Sequence, residues 1–334
     1  MCLIIVSLPY NMSVLIELKA YLLSFCRVWK VALLLSLTLP FLMFNSCKFK
    51  PKEWQEEYKV VATTGMIGDA LENILPSRFS VHTLMGIGVD PHQYEAKPKD
   101  IEQLALAETI VYNGLHLEGK MVGLFEKLNR EKNVRAISDG LSEERLISTN
   151  EFVHDPHIWL DPFLWADGID VLGKQLAKDY PDFGEEILEN TKIYTTKIRK
   201  VGLWMRNEIE KIPVKQRVLI TSHDAFHYFG KSFNVKVDAL QGISTVSEPG
   251  IRTVSSLMDL IIKNKIPAVF IESSVAKKPI QALKEACARK GYRLNEGGML
   301  FSDAMGDKSQ NAETYLKMLQ RNTETLVWGL TNRK

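Results

Sequence analysis

Cysteine is scarce in this chain, and its distribution excludes a fold held together by disulfides. Of the four cysteines in 334 residues, Cys2, Cys26 and Cys47 lie near the start of the chain. Apart from these, Cys287 has no partner for an internal disulfide. The fold must therefore depend on its hydrophobic core. The remaining length is ample for such a core and suggests two domains.

The chain also lacks an excess of charge of either sign. It contains 42 lysines and arginines against 40 aspartates and glutamates, which gives a formal net charge of +2 at pH 7. Without the first 46 residues the two totals become equal, at 39 each. A nucleic-acid-binding surface needs clustered positive charge, so this class of function is not indicated. Recognition must depend on a local site and not on the field of the whole molecule.

Long apolar runs are confined to the N-terminal region. Lys30 precedes an apolar run at 31–44, which is broken by Pro40 and followed at once by a polar segment. The run is too short and too interrupted for a stable membrane span, and its pattern is typical of an export signal. We therefore predict that residues 1–46 are an export signal. The alternative is a single uncleaved anchor helix over 31–46.

Cys47 follows Ser46 directly after this run, an arrangement that resembles the acylation site of a bacterial lipoprotein. We predict that Cys47 is acylated, that residues 47–56 form a lipid-anchored linker, and that the lipid bilayer is a partner of the protein. Whether the N-terminal region is a signal or an anchor, the body of the protein is then exported and held at a membrane. It faces the periplasm or lies at the cell surface.

Beyond residue 57, short β-branched runs alternate with segments of helical periodicity. Strands are predicted at 59–63, 79–85, 109–112, 134–137, 217–221, 235–239, 268–271 and 293–294, with a turn and a strand-like run at 297–301. Helices are predicted at 66–75, 98–106, 120–128, 162–178, 182–212, 225–231, 251–263, 279–290 and 312–330. This alternation favours an α/β fold in which parallel strands are joined by crossover helices.

One predicted helix is longer than a small lobe requires. Apolar residues recur at helical spacing through 182–212, and Pro181 and Pro213 bracket the segment. A helix of this length would extend roughly 45 Å. We interpret it as a spine between two lobes. The predicted divisions are an N-terminal lobe at 57–180, a linking helix at 181–212 and a C-terminal lobe at 213–334.

Four short motifs, far apart in the chain, each carry one side chain that could bind a metal. They are Asp-Pro-His at His92, Asp-Pro-His at His157, His-Asp-Ala-Phe at His223 and Ser-Asp-Ala at Asp303. The intervals of 65, 66 and 80 residues exclude a zinc finger, whose ligands lie within a few dozen positions. All four residues are predicted on loops, where side chains from different units can converge. Three imidazoles and one carboxylate suit Zn²⁺ and also tolerate Mn²⁺ or Fe²⁺.

The other histidines serve for comparison, because a lone histidine more often lies in a core or on a surface than on a metal. His82 lies within a predicted strand, and no motif surrounds His116 or His154. His227 follows His223 by four residues, a spacing found in zinc-binding helices. A histidine on the outer face of a helix is nevertheless the simpler interpretation of His227.

Taken together, the four motifs resemble those of the TroA-like (cluster A-I) lipoproteins, the metal-binding receptors of bacterial zinc/manganese ABC importers. The resemblance covers nearly all of residues 57–332. It implies two α/β lobes joined by one long rigid helix, with the metal between them. It also implies that His92, His157, His223 and Asp303 are the metal ligands. The implied function is capture of Zn²⁺ or Mn²⁺ outside the cytoplasm and delivery to an importer made of a permease and an ATPase.

Two features that would identify the metal within that family are absent. Residues 118–153 contain no histidine, whereas zinc-dedicated members often carry a histidine-rich loop there. Position 223 is not the glutamate of many manganese-dedicated members. A nitrogen-rich tetrahedral site favours Zn²⁺, and a bidentate Asp303 would accommodate Mn²⁺. Zn²⁺ and Mn²⁺ therefore both stay open, with Fe²⁺ third.

Capture of a cation by these residues requires neutral imidazoles and an ionised Asp303, so the affinity is expected to fall below about pH 6.5. Metal-binding imidazoles also need partners that orient their rings. Asp161, Asp224 and Glu272 are the carboxylates that we predict for this role.

The competing interpretation is a zinc-dependent hydrolase. It would use three protein ligands, an open position for water, and Asp224 or Glu272 as the general base. Four protein ligands close the site and argue against this, so no enzymatic activity is predicted. A third interpretation is an adhesin-type surface lipoprotein, but the sequence contains no exposed repeat or polar stalk that would support it.

Overall fold

The structure of the protein is a computed structural model that describes residues 57–150, 152–246 and 250–331. The predicted export signal, Cys47 and the linker at 47–56 lie outside the described residues. No helix among the described residues combines the length and the apolar character needed to cross a membrane.

The first half of the described chain contains one four-stranded parallel sheet. Its strands are β1 Tyr58–Ala62, β2 Phe79–Thr83, β3 Thr109–Tyr112 and β4 Asn133–Ala136, in the spatial order β2-β1-β3-β4. The helices that connect these strands are α1 Gly65–Ile74, α2 Pro98–Leu106 and α3 Val122–Leu128. Parallel neighbours require such crossovers, and the carboxyl ends of the strands consequently meet at one edge of the sheet.

The second half contains two parallel pairs of strands. The strands are β5 Val218–Thr221, β6 Lys236–Ala239, β7 Ala268–Glu272 and β8 Asn295–Leu300, paired as β5-β6 and β7-β8. The helices of this half are α6 His227–Phe233, α7 Ile251–Asn264, α8 Lys278–Arg289 and α9 Tyr315–Thr331. Strand β5 lies beside β7, so the carboxyl ends of these strands also face one region. The alternating pattern in the sequence therefore predicted the fold class.

Strand β8 is where the prediction from sequence was wrong. The segment 293–294 is not a strand, and the predicted turn at the two glycines lies inside β8. Gly297 is the extra residue of a β-bulge, and Gly298 has a φ of +127°. A Cβ atom at Gly297 would lie 2.5 Å from Cε1 of Phe270. These glycines are present because a ring packs closely against the strand and because the bulge needs unusual backbone angles.

Two long helices join the halves. Helix α4 spans Pro162–Asp179, and helix α5 spans Gly184–Glu210 without a break. At 27 residues, α5 is about 40 Å long. It contacts α1 from the first half and both α6 and α9 from the second half. The single long helix predicted at 182–212 is thus present, and it packs against elements of both halves.

The largest hydrophobic cluster also draws on both halves. It includes Trp159 just before α4 and Trp165 within α4, together with Phe226, Phe301 and Tyr315 from the second half. The Trp159 indole N–H donates to the carbonyl oxygen of Ser302 at 2.6 Å. Because this core is shared, a wide separation of the two halves would expose large aromatic side chains to water.

Candidate metal centre

The structure places each of the four predicted residues on a different loop. His92 follows β2, His223 lies two residues after β5, and Asp303 lies three residues after β8. His157 stands directly before the short 3₁₀ helix Ile158–Leu160 that leads into α4. Three of these loops begin at carboxyl ends of parallel strands, where side chains of separate units can converge.

The four side chains meet at one point. Nε2 of His157 lies 3.1 Å from Nε2 of His92, 3.4 Å from Nε2 of His223 and 3.5 Å from Oδ1 of Asp303. Nε2 of His223 lies 3.4 Å from Oδ2 of Asp303, and one potential ligand atom from each of the four residues lies within 4.8 Å of the other three. A tetrahedron with metal–ligand bonds of about 2.0–2.1 Å has edges of about 3.3–3.4 Å. The four separations given above are close to these edges.

This cluster is closed to solvent. His92 is 7% exposed, Asp303 is 2% exposed, and His157 and His223 are fully buried. Among the described residues, these four form the single group of three or more potential ligands that could hold one ion. Four polar groups buried in contact with one another are costly unless they are bonded or bind a cation.

Glu272 orients His223. Its Oε1 accepts the backbone N–H groups of Ser222 and His223 at 2.8 and 2.9 Å, and its Oε2 lies 2.5 Å from Nδ1 of His223. Burial disfavours the charged imidazole, but Asp303 and Glu272 outweigh burial and raise the pKa of His223 well above its ordinary value. The two carboxylates thus favour the protonated form of His223.

Asp155 orients His157. Its Oδ1 lies 2.8 Å from Nδ1 of His157 and also accepts the backbone N–H of the same residue at 2.9 Å. Burial opposes ionisation of Asp155, but the His157 ring and the hydrogen bonds to His157 and His227 lower its pKa to about 2. An ionised Asp155 favours the tautomer in which Nδ1 of His157 carries the proton and Nε2 presents its lone pair to a cation.

The pKa values of His92 and Asp303 are also shifted by their surroundings in the cluster. Burial lowers the pKa of His92 to about 3, although Asp303 acts in the opposite direction. Burial opposes ionisation of Asp303, but the neighbouring imidazoles, above all His223, hold its pKa well below the usual range. Ser274 donates its hydroxyl to Oδ2 of Asp303 at 3.0 Å, while Oδ1 has no hydrogen-bond partner. The site thus offers one carboxylate and at least one neutral imidazole without further change.

The predicted orienting carboxylates were only partly correct. Glu272 contacts His223, as expected. Asp161 instead caps α4 by accepting the backbone N–H groups of Phe163 and Leu164, so that prediction was wrong. Asp224 lies 3.1 Å from Nε2 of His227, so it faces that ring and none of the four clustered side chains.

Asp155 was missed, although the sequence contained a signal for it. Both Asp-Pro-His motifs have the same spacing, and in both the aspartate Oδ1 accepts the backbone N–H of the histidine at 2.9 Å. Aspartate commonly bonds to the backbone two residues further on. That repeated turn would have placed Asp90 beside His92 and Asp155 beside His157.

The interpretation of His227 as a histidine on the outer face of a helix also needs correction. The predicted helix at 225–231 begins two residues later, so His227 is the first residue of α6. Its Nδ1 lies 3.1 Å from Oδ2 of Asp155. His82 is exposed on β2, and the ring of His116 stacks on Phe152, so these two histidines lie outside the cluster.

Comparison with known protein families gives a match over almost all of the described chain. The family model described as zinc-uptake complex component A, periplasmic (ZnuA), matches residues 60–329.

Individual proteins of known name are also similar to this chain. The chain is 41% identical over 280 residues to the manganese-binding lipoprotein MntA of Bacillus subtilis, and this alignment covers 84% of this chain and 92% of MntA. It is 40% identical over 271 residues to the zinc-binding protein TroA of Treponema pallidum, over 81% of this chain and 88% of TroA. The solved structure of periplasmic TroA superimposes with a TM-score of 0.80 at 39% identity, over 83% of this chain and all of the TroA chain.

Proposed function

The chain belongs to the ZnuA family of periplasmic zinc-uptake components, and from this membership we propose that it is an extracytoplasmic receptor for a divalent transition metal. It captures Zn²⁺ or Mn²⁺ between its two halves and delivers the ion to an ABC importer. Its relatives carry names that specify zinc in one case and manganese in another.

The observation that carries this proposal is the convergence of four potential ligands from four separate loops. We propose His92, His157, His223 and Asp303 as the metal ligands. One potential ligand atom from each residue lies within 4.8 Å of the other three, and the orienting contacts from Asp155 and Glu272 support two of the three imidazoles.

The same geometry serves either candidate ion. Three imidazole nitrogens and one carboxylate oxygen suit tetrahedral Zn²⁺. The two oxygens of Asp303 face two different imidazoles, with Oδ1 towards His157 and Oδ2 towards His223. A bidentate carboxylate raises the coordination number, which suits Mn²⁺. Fe²⁺ is the third candidate on the basis of these ligands.

We favour a receptor over a zinc-dependent hydrolase. A hydrolytic zinc site holds the metal by three protein ligands and leaves a position for water. Here a fourth protein donor, Asp303, occupies that position. Glu272, one candidate for the general base, is engaged with the backbone and ring of His223.

We further propose that the domain divisions are a lobe at 57–180, the linking helix at 181–212 and a lobe at 213–334. Release of the ion then involves a small displacement of the lobes and not a wide hinge, since α5 and the shared aromatic core contact both halves.

The N-terminal region completes the proposal. We propose that residues 1–46 direct export and that acylated Cys47 tethers the receptor to the bilayer beside the importer's permease and ATPase. Mass spectrometry of the mature protein tests this directly: a diacylglyceryl group on Cys47 is expected, and an intact N-terminal region would support the anchor helix instead.

The capture step is tested by metal analysis of protein purified without chelator. About one Zn²⁺ or Mn²⁺ per chain is expected for the wild type and for Asp307→Asn, whose side chain is exposed on the same loop. Asp303→Asn should lose most of its metal. Reconstituted importer vesicles should then accumulate the ion only with metal-loaded receptor. A wild-type receptor that contains no metal and binds none would overturn the proposal.

A further inference from the structure

His227 occupies an unusual position for a residue that was expected to lie outside the site. It is half-buried at the start of α6, and its two ring nitrogens face two carboxylates. Nδ1 lies 3.1 Å from Oδ2 of Asp155, and Nε2 lies 3.1 Å from Oδ1 of Asp224. The hydrogen bond to Asp155, together with the charges of Asp224 and Asp155, raises the pKa of His227.

A continuous series of contacts runs from His227 to the metal centre. Asp155 uses one oxygen for each histidine: Oδ2 for His227 and Oδ1 for Nδ1 of His157, at 2.8 Å. The Asp155 side chain is fully buried, so both of its oxygens depend on protein partners. His227 therefore satisfies the oxygen that His157 leaves free.

The contact has a physical consequence at His157. Without His227, one oxygen of this buried carboxylate would lose its hydrogen bond, and the group would be free to rotate about its Cβ–Cγ bond. Such a rotation would weaken the acceptor that fixes the tautomer and orientation of the His157 ring. We propose that His227 is a positioning residue for metal binding, which acts through Asp155 to hold His157 in its cation-binding orientation.

The two ends of this contact belong to different halves of the chain. Asp155 precedes α4, whereas His227 begins α6 in the second half. The next residue of α6, Tyr228, donates its hydroxyl to the backbone oxygen of Asp155 at 2.9 Å and accepts the backbone N–H of Ile147 at 3.1 Å. The start of α6 is thus the point where the second half holds the segment that carries His157. Through His227, the orientation of His157 for cation binding depends on the contact between the two halves.

This inference rests on the proposed function, and its test is a comparison of Zn²⁺ and Mn²⁺ affinities by competition with a chromophoric chelator. His227→Phe keeps a ring but removes both nitrogens, and it should lower the affinity about 10- to 100-fold. His227→Asn retains a donor close to the position of Nδ1 and should recover most of the loss. His82→Phe makes the same substitution on an exposed strand residue and should bind like the wild type.

A double-mutant cycle with Asp155→Asn separates a positioning role from a general structural one. If His227 acts through Asp155, the phenylalanine substitution should cause little further loss in the Asp155→Asn background. Thermal unfolding of each metal-free variant checks its fold. His227→Leu serves as a second disabling variant if the phenylalanine variant does not fold.

The outcomes distinguish the inference from the function on which it rests. Equal affinities of His227→Phe and His82→Phe, losses that add fully in the cycle, or no recovery by His227→Asn would overturn the role of His227. If the wild type and His82→Phe bind neither ion, the proposed function itself fails.

Discussion

Glu272 contacts His223 at two places. Its Oε1 accepts the backbone N–H of His223 at 2.9 Å, and its Oε2 lies 2.5 Å from Nδ1 of the ring. Both residues are buried, and Glu272 stands at the end of β7 while His223 follows the neighbouring strand β5. The pairing therefore links two strand ends and turns Nε2 of His223 towards Asp303. It also places a negative charge beside Nδ1 of this imidazole.

Replacement of Glu272 by glutamine should weaken metal binding. The Glu272→Gln side chain keeps its shape but loses the charge that supports His223, so the affinity for Zn²⁺ and Mn²⁺ should fall about 10- to 100-fold. Calorimetric titration of chelator-stripped protein measures this loss. Glu285→Gln, on the exposed face of α8, is the matched control and should bind like the wild type. Indistinguishable affinities of the two variants would rule out the orienting role.

His223→Ala should cost far more metal affinity than His227→Ala, although the two residues are four positions apart. The first substitution removes a donor atom and leaves three ligands, whereas the second disturbs His157 only through Asp155, at a cost of about 10- to 100-fold. The same titration compares the two variants. An equal or larger loss in His227→Ala would mean that the His223/His227 pair binds the ion together, as in many zinc enzymes.

Metal binding should release a proton at neutral pH. The pKa of His223 is raised well above its ordinary value, so its imidazole favours the charged form at neutral pH, and a cation must displace the Nε2 proton. His92, with a pKa of about 3, and Asp303, with a pKa well below the usual range, have no proton to lose there. Below the raised pKa of His223, the affinity should therefore fall as the pH decreases, by about tenfold per unit for one proton.

Calorimetry in buffers of different ionisation enthalpy counts the protons released on binding at pH 7.5. About one proton from His223 is expected for the wild type. Glu272→Gln should release less, because removal of that carboxylate lowers the pKa of His223. Binding enthalpies that do not change with the buffer would contradict the charge state assigned to His223.

Trp159 should stabilise the junction between two of the loops that carry the proposed ligands. Trp159→Phe removes the indole donor from the carbonyl of Ser302 and leaves that oxygen without its partner, which should lower the free energy of unfolding by about 1–3 kcal/mol, with a further cost for the cavity. Chemical denaturation of metal-free protein provides the measurement. Trp328→Phe, at a residue that is 61% exposed, should change it by less than about 0.5 kcal/mol. Similar values for both variants would contradict the role of Trp159.

Local sequence signals predicted most of the backbone. The helix expected at 98–106 and the strand expected at 109–112 have the observed bounds, because a proline begins the first and a β-branched run forms the second. Strand β8 was mispredicted because the reasons for Gly297 and Gly298 lie in the tertiary structure. The ring of Phe270 packs closely against Gly297, and the pairing with β7 contains a bulge.

In the candidate site, too, some features could be predicted from the sequence and others could not. The spacing of the motifs indicated the four side chains that the structure brings together, since each motif places its residue on a separate loop. The partnership of Asp155 with His227 joins residues 72 positions apart and depends on where α6 begins, so periodicity alone could not reveal it. The capping role of Asp161, in contrast, follows from its position before Pro162 and could have been predicted.

Anomalous diffraction from crystals of the metal-loaded protein tests the central claim most directly. Data collected at the zinc and manganese absorption edges should show one strong peak per chain, at about 2.0–2.2 Å from each nitrogen and carboxylate ligand. Those ligands should be His92, His157, His223 and Asp303. A peak elsewhere on the protein, or a peak at this point with one of the four side chains turned away and water in its place, would contradict the account.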